Sequence, residues 1–164
     1  MDRPAIEELF AYTGFSWRQY EETVRALGEE MLARPAPGSG WPALRNALGH
    51  ILFGYDRWLA ILTGTSPAVF DAGSARSWED LEQHRREVRG RFRDCLDALS
   101  DAELTAPREM NVDGETLRYS PAEILTHLLL HERGHHGDIS TLLYQLGVEP
   151  PVVEYRFFLP QSRP

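Results

Sequence analysis

The segment opened by Ser120-Pro121-Ala122-Glu123 and closed by Gly147 constrains this chain more than any other. Serine at the N-cap, proline at the first helical position and glutamate at the third form a capping box, so the helix start is written in side-chain chemistry. Glycine is the residue that most often terminates a helix. Between these signals, Leu125, Leu128, Leu129, Leu142, Leu143 and Leu146 supply apolar surface. The same stretch carries four of the six histidines of the chain. Each four-residue step on a helix advances only about 40° past a full turn, so His127, His131 and His135 share one face.

Three further long segments have helical periodicity, and together the four imply a bundle. The first runs from about Pro4 to Leu32, with Asp2 as N-cap and Ile6, Leu9, Phe10, Thr13, Trp17 and Val24 on its apolar stripe. Arg34-Pro35-Ala36-Pro37-Gly38-Ser39-Gly40 breaks it. Pro42 is placed as the first residue of a second helix that reaches about Leu62 and ends at Gly64. The turn-rich section Thr65 to Arg76 suits a long crossover connection. Ser77-Trp78-Glu79-Asp80 starts a third helix ending near Leu99. Between Thr105 and Tyr119, Asp113-Gly114 predicts the turn of a small β-hairpin before the last helix. The aromatic tail, with Tyr155, Phe157 and Phe158, is expected to pack on the domain or on a second copy of it. The reading is all-α, a four-helix bundle with a long crossover and a small hairpin, with residues 1–164 forming one domain.

Composition narrows the function. A length of 164 residues and 42% apolar content suit a single core. The net charge of −8 offers no basic footprint for nucleic acid. No apolar run approaches the ~20 residues that span a bilayer, and Met1-Asp2-Arg3-Pro4 lacks a signal pattern, so a cytoplasmic protein without membrane partners is expected. One cysteine, Cys95, excludes an intrachain disulfide and reads as a core residue. All seventeen basic residues are arginine, which excludes Schiff-base and Walker-type lysine chemistry.

Imidazoles at i and i+4 can share one metal ion, with zinc, nickel, copper and iron all suited to nitrogen ligands. Surface polarity and hydrogen bonding to carboxylates are the competing explanations for the pair His131 and His135. A helical pair needs a further ligand from elsewhere, and His50 is available. Its setting, Leu48-Gly49-His50-Ile51-Leu52, equally suits a core histidine with a hydrogen-bond partner. His127 is a candidate cofactor-pocket wall, and Asp138 returns to the His131 face. Arg57, seven residues after His50, is a candidate for attracting an anionic substrate. His136 and His84 are expected at the surface. His131-Glu132-Arg133-Gly134-His135 also spells the zincin pattern, with Glu132 as general base. The metzincin extension fails at Asp138 and Thr141, and a gluzincin third ligand would have to be Glu154 in a proline-flanked tail.

His50 with His131 and His135 resembles the DinB/YfiT-like superfamily over nearly the whole chain. Leu9-Phe10-Ala11-Tyr12 with Trp17, His50 followed by Trp58-Leu59 and Gly64, and His131-x-x-x-His135-x-Gly137-x-Ile139 running to Leu146-Gly147 carry the resemblance. The family's arginine and glutamine positions are His136 and Asp138 here. The resemblance implies a four-helix bundle holding a divalent metal on His50, His131 and His135, with zinc, nickel or iron as the ion. It also implies activity with a low-molecular-weight thiol in transfer or isomerisation, a small-molecule substrate, and a homodimer. On the residues alone, Asp138 or Glu132 could serve catalysis. A hydrolase using metal-bound water and a non-catalytic metal-binding stress-response or interaction protein are the alternatives.

Overall fold

The computed structural model describes residues 1–38, 40–66 and 77–162. Four long helices dominate: α1 (Arg3–Leu27), α3 (Leu44–Thr63), α4 (Trp78–Asp97) and α6 (Pro121–Gln145). Short helices α2 (Glu30–Ala33), α5 (Asp101–Thr105) and α7 (Tyr155–Ser162) join them, with strands β1 (Arg108–Val112) and β2 (Glu115–Tyr119).

Local chemistry sets most of these boundaries. Asp2 caps α1 by accepting from the Ala5 amide at 3.1 Å. Complete capping boxes start α4 (Ser77 and Asp80), α5 (Ser100 and Glu103) and α6 (Ser120 and Glu123). Each satisfies amides that the first helical turn leaves without partners. Gly64 closes α3 in the left-handed conformation at φ 68°. Asp113 and Gly114, both at positive φ, turn the antiparallel hairpin so that Val112 pairs with Glu115.

Two boundaries differ from the sequence reading, and one short helix is additional to it. α1 ends at Leu27, because Gly28 takes a positive φ and separates it from α2. Pro42 lies ahead of α3, whose N-cap is Ala43. α4 ends at Asp97, close to the Leu99 expected, and Ser100 then caps α5, a short helix absent from the sequence reading. The aromatic tail packs on α1, where the Tyr12 hydroxyl donates to the Val153 carbonyl at 2.6 Å and Phe158 lies against Tyr12 and Phe15.

Helix directions follow from cross-helix contacts. The start of α1 meets the end of α4, since Arg3 donates to the Leu96 carbonyl at 2.9 Å, while the other end of α1 meets Trp78. α1 runs alongside α6 in the same sense: Thr126 lies by Met1, and Tyr20 by His136 and Ser140. α3 opposes α6, with Trp58 against His127 and Trp41, just ahead of α3, against Asp138. α3 and α4 are therefore parallel, and the end of one and the start of the other lie at opposite ends of the bundle. Of the connection expected to cross between them, Thr65 to Arg76, residues 67–76 lie outside the described residues.

The shared core draws on all four long helices, including Trp17 and Tyr20 of α1, Leu48 and Leu52 of α3, Phe92 of α4, and Leu125 and Leu129 of α6. Phe92 is fully buried and stacks on Phe10 at 4.7 Å between ring centroids. Phe92→Ala is expected to cost about 3 to 5 kcal/mol in urea unfolding, from lost transfer energy plus a cavity that four packed helices cannot close. A loss under about 1 kcal/mol would show that the bundle collapses to fill the site.

Candidate metal centre

α3 supplies His50, and α6 supplies His131 and His135 one turn apart. Their ring nitrogens converge: His131 Nε2 lies 3.2 Å from His50 Nε2 and 3.1 Å from His135 Nε2. All three nitrogens lie within 4.8 Å of one another. The approach depends on a residue with no side chain, because a Cβ on Gly54 would stand 2.9 Å from His131 Cε1 and 3.1 Å from its Nδ1. Glycine thus lets the His131 ring lie against the α3 backbone.

His135 is oriented from behind. Its Nδ1 lies 2.7 Å from Asp138 Oδ2, and the Trp41 indole N–H donates to that same oxygen at 2.9 Å. Trp41 also lies beside the His50 ring, 5.0 Å between centroids, and meets the His135 ring edge-on at 5.5 Å. His127 sits one turn before His131, with rings 5.9 Å apart, exposed and edge-on to Trp58.

The electrostatics favour uncharged imidazoles. Burial, and then the neighbouring His135, His50 and His127, push His131 down to about 4. Burial and His135 lower His50 in the same direction. Burial opposes ionisation of Asp138, but the hydrogen bonds from Trp41 and His135 outweigh it and hold the carboxyl below its ordinary range. Near neutral pH the His131 and His50 rings are therefore uncharged, and a carboxylate backs the site at Asp138.

This arrangement fits a metal ion. Nitrogens about 2.0–2.1 Å from one ion stand about 3.0–3.4 Å apart in octahedral or tetrahedral geometry, and the two close pairs here fall in that range. With Nδ1 of His135 donating to Asp138, its Nε2 carries a lone pair aimed at His131. Lone pairs at such separation need a proton or a cation among them, and one ion serves all three rings at once. His131 Nδ1 is buried without a hydrogen-bond partner, so the polar contacts of that ring are on its Nε2 side.

Other candidates lie elsewhere. Glu132 is 1% exposed and points into the core, where the Tyr55 hydroxyl donates to it at 2.5 Å and Arg89 stands 3.6 Å away. It does not face the histidines as a zincin base would. Arg57 pairs with Asp113 in the hairpin turn. Glu154 is exposed and pairs with Arg156. Cys95 is half-buried between α3 and α4, where burial raises its thiol pKa.

Both histidines expected at the surface are buried. His84 Nε2 stands 2.5 Å from Asp56 Oδ2, and Arg91 pairs with the other Asp56 oxygen. His136 is fully enclosed, 3.7 Å from Glu132 Oε1, with its ring tilted against that of Tyr20 at 5.1 Å between centroids. Trp41 was also missed, because nothing in a Pro/Gly-rich loop marks one aromatic as a site neighbour. The charges beside His84 masked its partner: Asp56 lies twenty-eight positions away on another helix.

The DinB family model matches residues 1–163. The chain belongs to the DinB family. A crystal structure of a DinB-like protein from Bacillus cereus is similar in fold, with a TM-score of 0.73 over 93% of this chain and 98% of that one at 19% identity. No curated protein matches the sequence. Among the described residues of this DinB-family chain, no helix is long and apolar enough to cross a membrane.

Two outcomes follow from the site. Gly54→Ala is expected to displace the His131 ring and weaken zinc binding about tenfold or more in a chelator competition, while far-UV circular dichroism stays unchanged, since alanine favours helix. Undiminished affinity would show that the ring has room to give. His136 is held down to about 4, mainly by burial, against an ordinary 6.5, with Glu132 opposing the shift. Between those values the unfolded chain binds the proton and the native state does not. Its contribution, on the order of 3 kcal/mol, is therefore complete above about pH 6.5 and lost as pH falls toward 4. In metal-free protein, His136→Gln should flatten the fall in unfolding free energy across that window. An unchanged slope would assign the pH dependence to other groups.

Proposed function

We propose that this DinB-family chain is a metal-dependent enzyme in which His50, His131 and His135 hold one divalent ion, zinc, nickel or iron. Its reaction is the activation of a low-molecular-weight thiol for transfer to, or isomerisation of, a small-molecule substrate. The observation that carries the reading is the convergence of three imidazole nitrogens from two helices with no fourth ligand: among the described residues no further histidine, cysteine or carboxylate joins the group. A site with three protein ligands leaves a place for an exogenous one, as catalytic sites do and closed structural sites do not. When bound, a divalent ion lowers the pKa of a coordinated thiol or water and so makes either nucleophilic near neutral pH.

The protein's own groups have separable roles. His50, His131 and His135 supply nitrogen donors, and the surroundings of His50 and His131 favour the unprotonated form that a metal requires. Asp138 holds the Nδ1 proton of His135. Trp41 walls one side of the rings and limits access of water, while exposed His127, with Trp58 behind it, stands at another side within reach of an arriving molecule. The choice of thiol over water rests on the resemblance to family members that use thiols. Among side chains, His127 and Asp138 are the polar groups nearest the donors that could take or return a proton.

Elemental analysis of tag-free protein and of the His50→Ala, His131→Ala and His135→Ala variants tests the site. Near-stoichiometric metal in the wild type and its loss in each variant are expected. Adding thiols to the cobalt-substituted protein should then produce a sulfur-to-metal absorption band in the near ultraviolet. A metal-loaded protein whose spectrum no thiol alters would turn the reading toward a water-using hydrolase or a non-catalytic metal protein. Wild type that takes up no metal after reconstitution would end it.

A further inference from the structure

Asp138 Oδ2 is an acceptor shared by two donors of different origin. One is His135 Nδ1, three residues away on α6; the other is the indole N–H of Trp41, which belongs to the loop between α2 and α3. The Asp138 side chain is 45% exposed, whereas that of His135 is 20% exposed. A carboxylate so open to solvent has little packing to fix its rotamer, and the Trp41 hydrogen bond supplies a fixed point. The loop is itself tied down, because the Ala36 amide donates to the Pro42 carbonyl at 3.2 Å.

The consequence falls on His135. A free neutral imidazole of histidine prefers to carry its proton on Nε2, and that form could not offer Nε2 as a ligand. An acceptor at Nδ1 reverses the preference. Here Asp138 is that acceptor, and the freed Nε2 lone pair faces His131 Nε2 at 3.1 Å.

We infer that Trp41, Asp138 and His135 form a latch, in which Trp41 fixes Asp138 and Asp138 fixes the His135 tautomer, so that the α2–α3 loop is a working part of the metal centre. Asp138 and the Trp41 indole N–H are positioning groups, since this chain of hydrogen bonds reaches the ion through His135, apart from the ring contacts of Trp41 that a phenylalanine would keep. The inference rests on the reading that the three histidines hold a metal, but the tautomer it assigns exists without one. By reciprocity, whatever withdraws Trp41 from Asp138 loosens the ion, and the ion in turn holds the loop closed.

The test uses four proteins: wild type, Asp138→Ala, Trp41→Phe and the double variant, with Asp138→Asn as the conservative control. Zinc affinity is read by competition with a chromophoric chelator, and the His135 tautomer by long-range nitrogen–proton NMR on metal-free samples. Asp138→Ala should weaken zinc about 10- to 100-fold and move the His135 proton to Nε2. Asp138→Asn, which keeps an acceptor oxygen, should retain the Nδ1–H form and fall between. Trp41→Phe should weaken zinc about 3- to 10-fold in the wild-type background and less than about twofold in the Asp138→Ala background, because phenylalanine keeps the aromatic wall and the hydrogen bond it removes has already lost its acceptor. Equal losses in both backgrounds, or an unmoved proton in Asp138→Ala, would overturn the latch. Should wild type bind no zinc, the metal reading falls, and the tautomers of the metal-free set alone uphold or overturn the latch.

Discussion

Where Gly54 faces His131, α3 and α6 come close enough for an imidazole to rest on the opposing helix, and the remainder of the molecule is arranged around that contact. Antiparallel packing places His50 of α3 opposite the His131 and His135 pair, so a ligand set is assembled from two helices that the chain visits far apart. A three-residue error in register, or a rotation of either helix by one position, would separate the nitrogens by a side-chain width. The site therefore depends on whatever fixes the axial and rotational setting of α6.

Apolar packing alone constrains that setting weakly, because leucine faces can repack with small shifts. The buried polar groups of α6 constrain it more tightly. Glu132 takes a hydrogen bond from Tyr55 of α3 and faces Arg89 of α4, while the His136 carbonyl accepts from Tyr20 of α1 at 3.0 Å. These bonds tie α6 to three neighbours at the same height as His131 and His135. Burying such charges is costly, and an apolar core of equal volume would often be as stable. What the polar set adds is uniqueness, since displacing Glu132 from Tyr55 and Arg89 strands a carboxylate in the core. Residues 131 and 135 face the site, and 132 and 136, one position on, face the lock. The helix thus carries two functions on adjacent stripes.

Much of this was legible in the residues. Capping boxes at Ser77 and Ser120 announce helix starts from local chemistry, and Asp113-Gly114 announces the hairpin turn, because each requirement is met within four residues. His131 and His135 are legible as a pair because helical spacing alone brings them together. The partners that give each histidine its meaning are not local. His136 reads as a surface residue from its angle to His135, yet in a helix packed on three sides that angle points inward. Asp56 and His84 are polar residues on different helices, and only the parallel setting of α3 and α4 brings them together. Trp41 is the extreme case, an aromatic in an irregular loop whose role is defined wholly by where Asp138 arrives.

The charge balance of the centre bears on what it can accept. Imidazole ligands bring no negative charge to an ion, and the carboxylate of Asp138 lies one ring away behind His135. A dication held by the three nitrogens would sit in a half-buried setting walled by Trp41, where water screens its charge incompletely. A fourth ligand that is itself anionic is then favoured over a neutral one. Thiolate and hydroxide both meet that demand, and thiolate meets it at lower cost near neutral pH, since a thiol needs far less help than water to lose its proton. By the same reasoning a protein carboxylate as fourth ligand would halve the charge of the ion and fill the position that the proposed thiol would take.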